Sequence, residues 1–329
     1  SMSRAWFFLP AIFCLVLNSA CAPARAVLGP VRGPAVDAHQ AGIKQFSLGN
    51  LSAAQAEFER ALRLNRSIDN REGALINLNN LGAIRLKQAD PDGALEIFEE
   101  ALGLSRAVSD RAAEADILIH MGDAYGMKGD QEHARSSYHS AENISLEIRD
   151  NKSRKTALGR LGGLDIALQA WEDAEKNLKE AYRLDQEAGD ELGMAMRESD
   201  LGVLAMNRNH PEEALALLTS ALKRHRRLEI PSGVSLDLQR LARFYLSRGQ
   251  SSVAEDYAGR SLFSHTASDD LTGAVQDLLI LARIYHDQGD DRKVRETLGR
   301  AKEMLKGQAD SKDLYKNIEA AEAALGLKP

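Results

Sequence analysis

The chain has 329 residues, of which 44% are hydrophobic and only 5% aromatic, and its formal charge at pH 7 is -6. This mildly acidic balance argues against nucleic acid as a partner, because such binding needs a basic surface that displaces counterions. Plentiful Ala and Leu with few aromatic residues favour a thin helical core over a globule built on aromatic rings.

The beginning of the chain has the composition of a secretory signal. Arg4 precedes an apolar run from Trp6 to Leu17, and small residues then lead to Cys21. The run is shorter than the about 20 residues that a membrane-spanning helix needs. Residues 1–21 are therefore predicted to be an export signal that is removed from the mature protein.

The end of this signal, Leu17 to Cys21, resembles the box at which bacterial lipoproteins are processed. The resemblance implies that Cys21 carries lipid such as palmitate and becomes the new N-terminus, facing the periplasm. Ala22 after the cysteine implies the outer membrane as destination. An ordinary cleavage signal ending at Ala26 leaves a soluble periplasmic protein as the alternative. Residues 22–35, which contain Pro and Gly, are expected to form a flexible tether.

From residue 36 onward, similar residues recur every forty positions. A Gly or Ala marks each copy, a small or short side chain follows twelve residues later, and a larger apolar one follows four further on. Such fixed-period similarity predicts seven copies over residues 36–306 that stack in sequence order. The marker residues are Gly42, Gly82, Gly122, Gly162, Gly202, Ala242 and Ala282, and the larger apolar residues are Phe58, Phe98, Tyr138, Leu178, Leu218 and Leu298, with Ala258 as the exception.

Each copy is expected to fold as two antiparallel helices. In the second copy, Asp90 and Pro91 interrupt the helical spacing of apolar residues, and Pro fits the first turn of a new helix. At four other junctions, Asp residues stand where a helix N-cap belongs, namely Asp69, Asp110, Asp190 and Asp269–Asp270. Glycine at the marker position should let the paired helices approach so closely that Phe98 or Tyr138 fills the remaining space. A last helix within residues 307–329 is expected to cap the final apolar face.

The segment Met121 to Tyr125, followed by Ala134, Tyr138 and Ala141, resembles the tetratricopeptide repeat, and copies of forty residues resemble its long-helix variant in kinesin light chains. The resemblance implies an all-α, right-handed superhelix, or α-solenoid, that serves as a scaffold for protein-protein interaction. Its first helices would line a concave groove for an extended peptide or a helix of a partner. Carried over to this chain, the groove positions are Asn79, Asn80, Ile119, Asp123, Met127, Met196, Met206, Asn207, Arg240, Arg243 and Arg283.

The sequence contains no catalytic motif, nucleotide-binding loop or metal-ligand spacing. We interpret its eight histidines as solvated or half-buried helix residues. The basic run from Lys223 to Arg227 is interpreted as the end of a helix, where the dipole favours cations. We therefore expect no enzyme activity, no cofactor and no metal.

Three other functions stay open at this stage. A repeat array could enclose a small molecule or a lipid between its helices and act as a carrier or sensor. It could also assemble with itself as a structural protein. An enzyme would need catalytic groups collected from several copies.

Overall fold

The computed structural model describes residues 33–307 and 312–326, and all the regular secondary structure in these ranges is α-helical. The predicted export signal, Cys21 and most of the predicted tether lie outside the described residues. From α2 to α14, each helix begins 20 residues after the one before it. The helices are α1 (Pro34–Ser47), α2 (Leu51–Ser67), α3 (Arg71–Lys87), α4 (Pro91–Ala107), α5 (Arg111–Met127), α6 (Gln131–Glu147), α7 (Asn151–Ala167), α8 (Trp171–Glu187), α9 (Glu191–Asn207), α10 (Pro211–Arg227), α11 (Pro231–Ser247), α12 (Ser251–Ala267), α13 (Leu271–Asp287), α14 (Asp291–Met304) and α15 (Lys312–Ala324).

The helices form two compact units, the first from α1 to α7 and the second from α8 to α15. Within each unit, a helix packs against the helix before it and the helix after it. Odd-numbered helices also touch one another, as α3 touches α5 and α11 touches α13. The all-α prediction and the stacking of helical hairpins are confirmed. Helix α15 packs against α13 and α14, where the capping helix was expected.

From α1 to α14, links of three residues reverse the chain between successive helices, and the middle residue of each link has a positive φ. After α3, Ala89 adopts a left-handed conformation with φ 56°, and the N–H of Asp90 donates to the carbonyl of Arg85 at 2.9 Å. This bond satisfies a carbonyl at the helix end that would otherwise lack a partner. The side chain of Asp90 then caps α4 by accepting a bond from the N–H of Gly93 at 2.9 Å. Among the predicted N-caps, Asp110 and Asp190 are confirmed, whereas α3 is capped by Asn70 and not by Asp69.

Marker glycines lie where the two helices of a hairpin cross. A methyl group at Gly82 would lie 2.3 Å from Cε1 of Phe98, and one at Gly122 would lie 2.4 Å from Cε1 of Tyr138. Carbon atoms do not approach so closely, so these positions must lack a side chain if the ring is to stay. The Phe98 ring also stacks on His120 of the following copy, with centroids 5.6 Å apart. The predicted role of glycine at this crossing is confirmed.

A second set of glycines faces polar residues and was not predicted from the sequence. A methyl group at Gly233 would lie 2.5 Å from the ring of His225, and one at Gly273 would lie 2.5 Å from the ring of His265. The space that each glycine leaves is thus filled by a side chain of the preceding even-numbered helix. The residues at this even-helix position are Asn65, Ser105, Ser145, Asp185, His225 and His265, and those eight positions later are Gly73, Ala113, Ser153, Gly193, Gly233 and Gly273.

Within residues 33–307 and 312–326, none of the helices combines the length and the apolar character needed to cross a membrane.

Candidate functional site

The predicted groove residues all lie on odd-numbered helices, on α3 and α5 in the first unit and on α9, α11 and α13 in the second. Polar contacts hold these helices side by side within each unit. Ser153 Oγ on α7 donates to Asp116 Oδ1 on α5 at 2.7 Å, and Gln239 Nε2 on α11 donates to Asp277 Oδ1 on α13 at 2.9 Å. In each unit, the fold thus brings side chains from successive copies onto neighbouring helices.

In the first unit, two predicted groove residues are buried parts of the fold. Ile119 and Asp123 are each only 3% exposed. The Asp123 Oδ1 atom accepts bonds from Tyr138 Oη and Arg160 Nε, both at 2.8 Å, and so joins α5 to α6 and α7. Asn79, Asn80 and Met127 are half-buried and more accessible.

Three polar atoms on α3 and α5 are buried without a hydrogen-bond partner among the described residues. They are Asn79 Oδ1, His120 Nδ1 and Asp123 Oδ2. Burial lowers the pKa of His120, although the charges of Asp123 and Asp116 act in the opposite direction. The His120 ring is therefore expected to be neutral at pH 7. An unpaired buried polar atom costs about 1–3 kcal/mol, so these three atoms reduce the stability of the fold at this place.

In the second unit, Arg240 is a component of the core. Its side chain is only 8% exposed, and it donates to Ser199 Oγ at 2.7 Å and to Asp200 Oδ1 at 2.9 Å. Ser199 donates in turn to Asp237, whose Oδ2 lies 2.6 Å from Nδ1 of His225. This network ties α9, α10 and α11 together.

A similar pair stands one repeat later, between α12 and α13. Asp277 Oδ2 lies 2.6 Å from Nδ1 of His265, and burial raises the pKa of the Asp277 carboxyl despite this partner. His225 and His265 are only 1% and 2% exposed, so interpreting them as solvated or half-buried was wrong. Aligning the copies at forty residues would have revealed both pairs, because His, Asp and the facing Gly all recur at that interval.

The remaining predicted groove residues of the second unit are half-buried, namely Met196, Met206, Asn207, Arg243 and Arg283. Asn207 Nδ2 donates to the carbonyl of Val203 within its own helix at 2.9 Å. Arg283 Nε donates to Asp287 at 2.9 Å, an exposed pair one helical turn apart. Met206 packs at the margin of an apolar cluster and is only partly covered by it.

The basic run at the end of α10 contacts acidic residues nearby. Arg224 bonds to Glu191 and Glu198, and Arg227 also bonds to Glu191. Its structural interpretation is therefore supported. In the ranges that the structure describes, no group of three or more His, Cys, Asp or Glu side chains could hold a metal ion.

Replacing Arg240 by Met should destabilise the protein much more than replacing Arg283 by Met. The first change leaves Asp200 and the Ser199–Asp237 pair without their buried cation. Removal of one partner from a buried ion pair typically lowers the free energy of unfolding by about 3–5 kcal/mol. The second removes an exposed pair, and its effect should stay within about 0.5 kcal/mol. Urea unfolding followed by circular dichroism measures both. Equal midpoints for the two variants would show that the Arg240 network contributes little to stability.

A family model described as tetratricopeptide repeat matches residues 37–107 and residues 73–147. A search of curated proteins found no match. The sequence evidence for the repeat family therefore comes from the first unit.

Solved structures extend the comparison to the rest of the chain. A Rap protein complexed with competence and sporulation factor has a TM-score of 0.68 at 16% identity, over 89% of this chain and 82% of that protein. A tetratricopeptide repeat protein from Parabacteroides merdae has a TM-score of 0.57 at 17% identity, over 87% of this chain and 99% of that one. BtubC from P. vanneervenii has a TM-score of 0.53 at 21% identity, over 65% of this chain and 89% of that one. At these identities the similarities establish the fold alone. The family model thus assigns tetratricopeptide repeats to residues 37–147, and further helices of similar length follow in the rest of the described chain.

Proposed function

We propose that this protein is a non-enzymatic adaptor that binds an extended peptide or a helix of a partner protein on its odd-numbered helices. The observation that carries the proposal is that some side chains on these helices bond to neighbouring helices, whereas others remain partly accessible to solvent. Asp123 and Arg240 are bound into the fold, whereas Asn79, Met127 and Met206 remain half-buried.

The accessible side chains suit a protein segment. Methionine is flexible and polarisable, so Met127 and Met206 can adapt to apolar side chains of different shape. An Asn side chain offers both a donor and an acceptor, which matches the alternating N–H and C=O groups of an extended backbone. Within each unit, such side chains would contribute affinity for a partner segment without requiring one particular partner sequence.

In the second unit, the odd-numbered helices also carry arginines. Arg243 on α11 and Arg283 on α13 stand at the same repeat position, one copy apart. Guanidinium groups bind carboxylates strongly and with defined geometry. Because Arg283 is already in an exposed pair with Asp287, an acidic residue of a partner segment on the second unit is expected to exchange with Asp287 at this position.

A photo-crosslinking amino acid placed at Met127 or Met206 tests the binding surface in living cells. Both positions should give a discrete crosslinked product with a partner protein. Glu99 on α4 and Lys176 on α8 are exposed residues of even-numbered helices, and crosslinkers placed there are matched controls that should give little of that product. Equal products from both sets of positions, or none from Met127 and Met206, would contradict the proposal.

We further infer that the adaptor is exported to the bacterial envelope and anchored there by lipid on Cys21, most consistent with an outer-membrane lipoprotein facing the periplasm. Support comes from the sequence from Leu17 to Cys21, which ends a short apolar run at a cysteine. The Pro- and Gly-containing residues that follow would separate the first helix from the membrane.

Metabolic labelling with a fatty-acid probe tests the anchor. The unchanged chain should incorporate the probe and fractionate with membranes, because the acyl chains partition into the bilayer. The Cys21→Ala variant should incorporate none. If the unchanged chain remains unlabelled and soluble in the periplasm, cleavage after Ala26 is the better account.

A further inference from the structure

The even-numbered helices present a second surface of interest, separate from the odd-helix residues considered so far. Phe263 on α12 is 78% exposed, the highest value among the large exposed hydrophobic residues of the described chain. The same repeat position holds no bulky apolar side chain in the other six copies. Its residues there are Arg63, Gly103, Asn143, Arg183, Lys223 and Glu303.

Two open hollows adjoin Phe263. The first, of about 650 Å³, has Leu238 of α11 in its lining together with one face of α12. The second, of about 460 Å³, extends from α12 to Leu281 and Tyr285 of α13 and to Arg300 of α14. Phe263 and Gly259 line both hollows. The exposed ring thus stands between two recesses that can receive side chains.

The fold itself does not require a glycine at position 259. A methyl group built there would have no atom within 4 Å other than its own helix neighbours. Marker glycines such as Gly82 differ, because Phe98 occupies the space beside them. Glycine inside a helix costs about 0.5–1 kcal/mol relative to alanine. Because Gly259 has no side chain, nothing at this position separates the two hollows, which it lines on both sides.

Among the charged residues around the hollows, Arg300 is the one that is available to a carboxylate of a partner. Glu255 accepts a bond from Tyr285 Oη at 3.0 Å, and Asp256 accepts one from Arg260 at 3.1 Å. Both acidic groups are therefore already engaged. Arg300 lines the second hollow and makes no ion pair or hydrogen bond with any described residue. The formal charges of Glu255, Asp256, Arg260 and Arg300 cancel, and among these four residues Arg300 is the one without a polar partner.

We propose that the surface formed by Gly259, Phe263, Leu281 and Arg300 binds a segment of another protein in which a bulky apolar side chain stands next to an acidic one. The apolar side chain enters the second hollow and covers the Phe263 ring. The carboxylate pairs with Arg300. Covering an exposed aromatic ring supplies affinity, and the ion pair supplies orientation. This surface is independent of the odd-helix residues, so an adaptor could hold two partners at once.

Panning a phage-displayed library of random linear peptides on the full chain tests this proposal. Selected peptides should combine an apolar and an acidic residue, and their affinity should fall at least about tenfold for Phe263→Ser, which corresponds to about 1.4 kcal/mol. Gly259→Gln should cause a similar loss of affinity, because the new side chain would occupy the space between the two hollows. Arg300→Gln should weaken binding several-fold.

Matched variants separate this effect from loss of folding. Gly299 occupies the same repeat position one copy later, and it too has open space around it. Gly299→Gln and Arg295→Gln, both on α14, should therefore leave peptide affinity unchanged. All variants should keep the thermal midpoint of the unchanged chain or exceed it, since the two glycine changes favour the helix.

Three results would overturn the proposal. The first is the absence of any selected peptide whose binding depends on Phe263. The second is concentration-dependent sedimentation that Phe263→Ser abolishes, which would make the surface a contact between two molecules of this chain. The third is binding to phospholipid vesicles that Phe263→Ser abolishes, which would make it a membrane contact.

Discussion

The fold depends on the absence of side-chain bulk where the two helices of a hairpin cross. At Gly82 and Gly122, even a methyl group would overlap the ring of Phe98 or Tyr138. A glycine inside a helix costs about 0.5–1 kcal/mol, whereas full burial of a large apolar side chain contributes about 1.5–3 kcal/mol. The exchange is favourable where glycine faces a large apolar side chain, as it does at Gly42, Gly82, Gly122 and Gly202. Length therefore adds stability copy by copy without a central core.

Glycine also leaves space for polar side chains that join neighbouring helices. Gly233 and Gly273 leave room for the rings of His225 and His265, and each ring pairs with a buried Asp. In the second unit, polar bonds of this kind fix α11 against both α9 and α13. These bonds fix the positions of the odd-numbered helices, which carry the half-buried Met and Asn side chains. Two hollows border α12, and this helix carries the exposed ring of Phe263.

Local rules were enough to predict much of this architecture. Periodicity, helix-breaking junctions and N-caps predicted the all-α fold, the hairpins and the crossing of Gly82 with Phe98. They could not distinguish groove positions that face a partner from those that face a neighbouring helix. Asp123 and Arg240 occupy groove positions, yet both are buried because polar residues on adjacent odd helices bond to them. Whether a polar residue is solvated or paired depends on residues about forty positions away, which helical periodicity within one copy does not reveal.

The most direct test of the central claim is a double-mutant cycle at Gly82 and Phe98, with the free energy of unfolding as the measurement. Gly82→Ala alone should destabilise the protein by about 1–3 kcal/mol through overlap, and Phe98→Ala alone by about 3–5 kcal/mol through the lost ring. The account predicts that the double variant loses clearly less than the sum, since the chain itself pairs two alanines, Ala242 and Ala258, at the corresponding positions of the sixth copy. Additive losses, within about 0.5 kcal/mol, would mean that the glycine and the ring do not share one space, and would contradict the account.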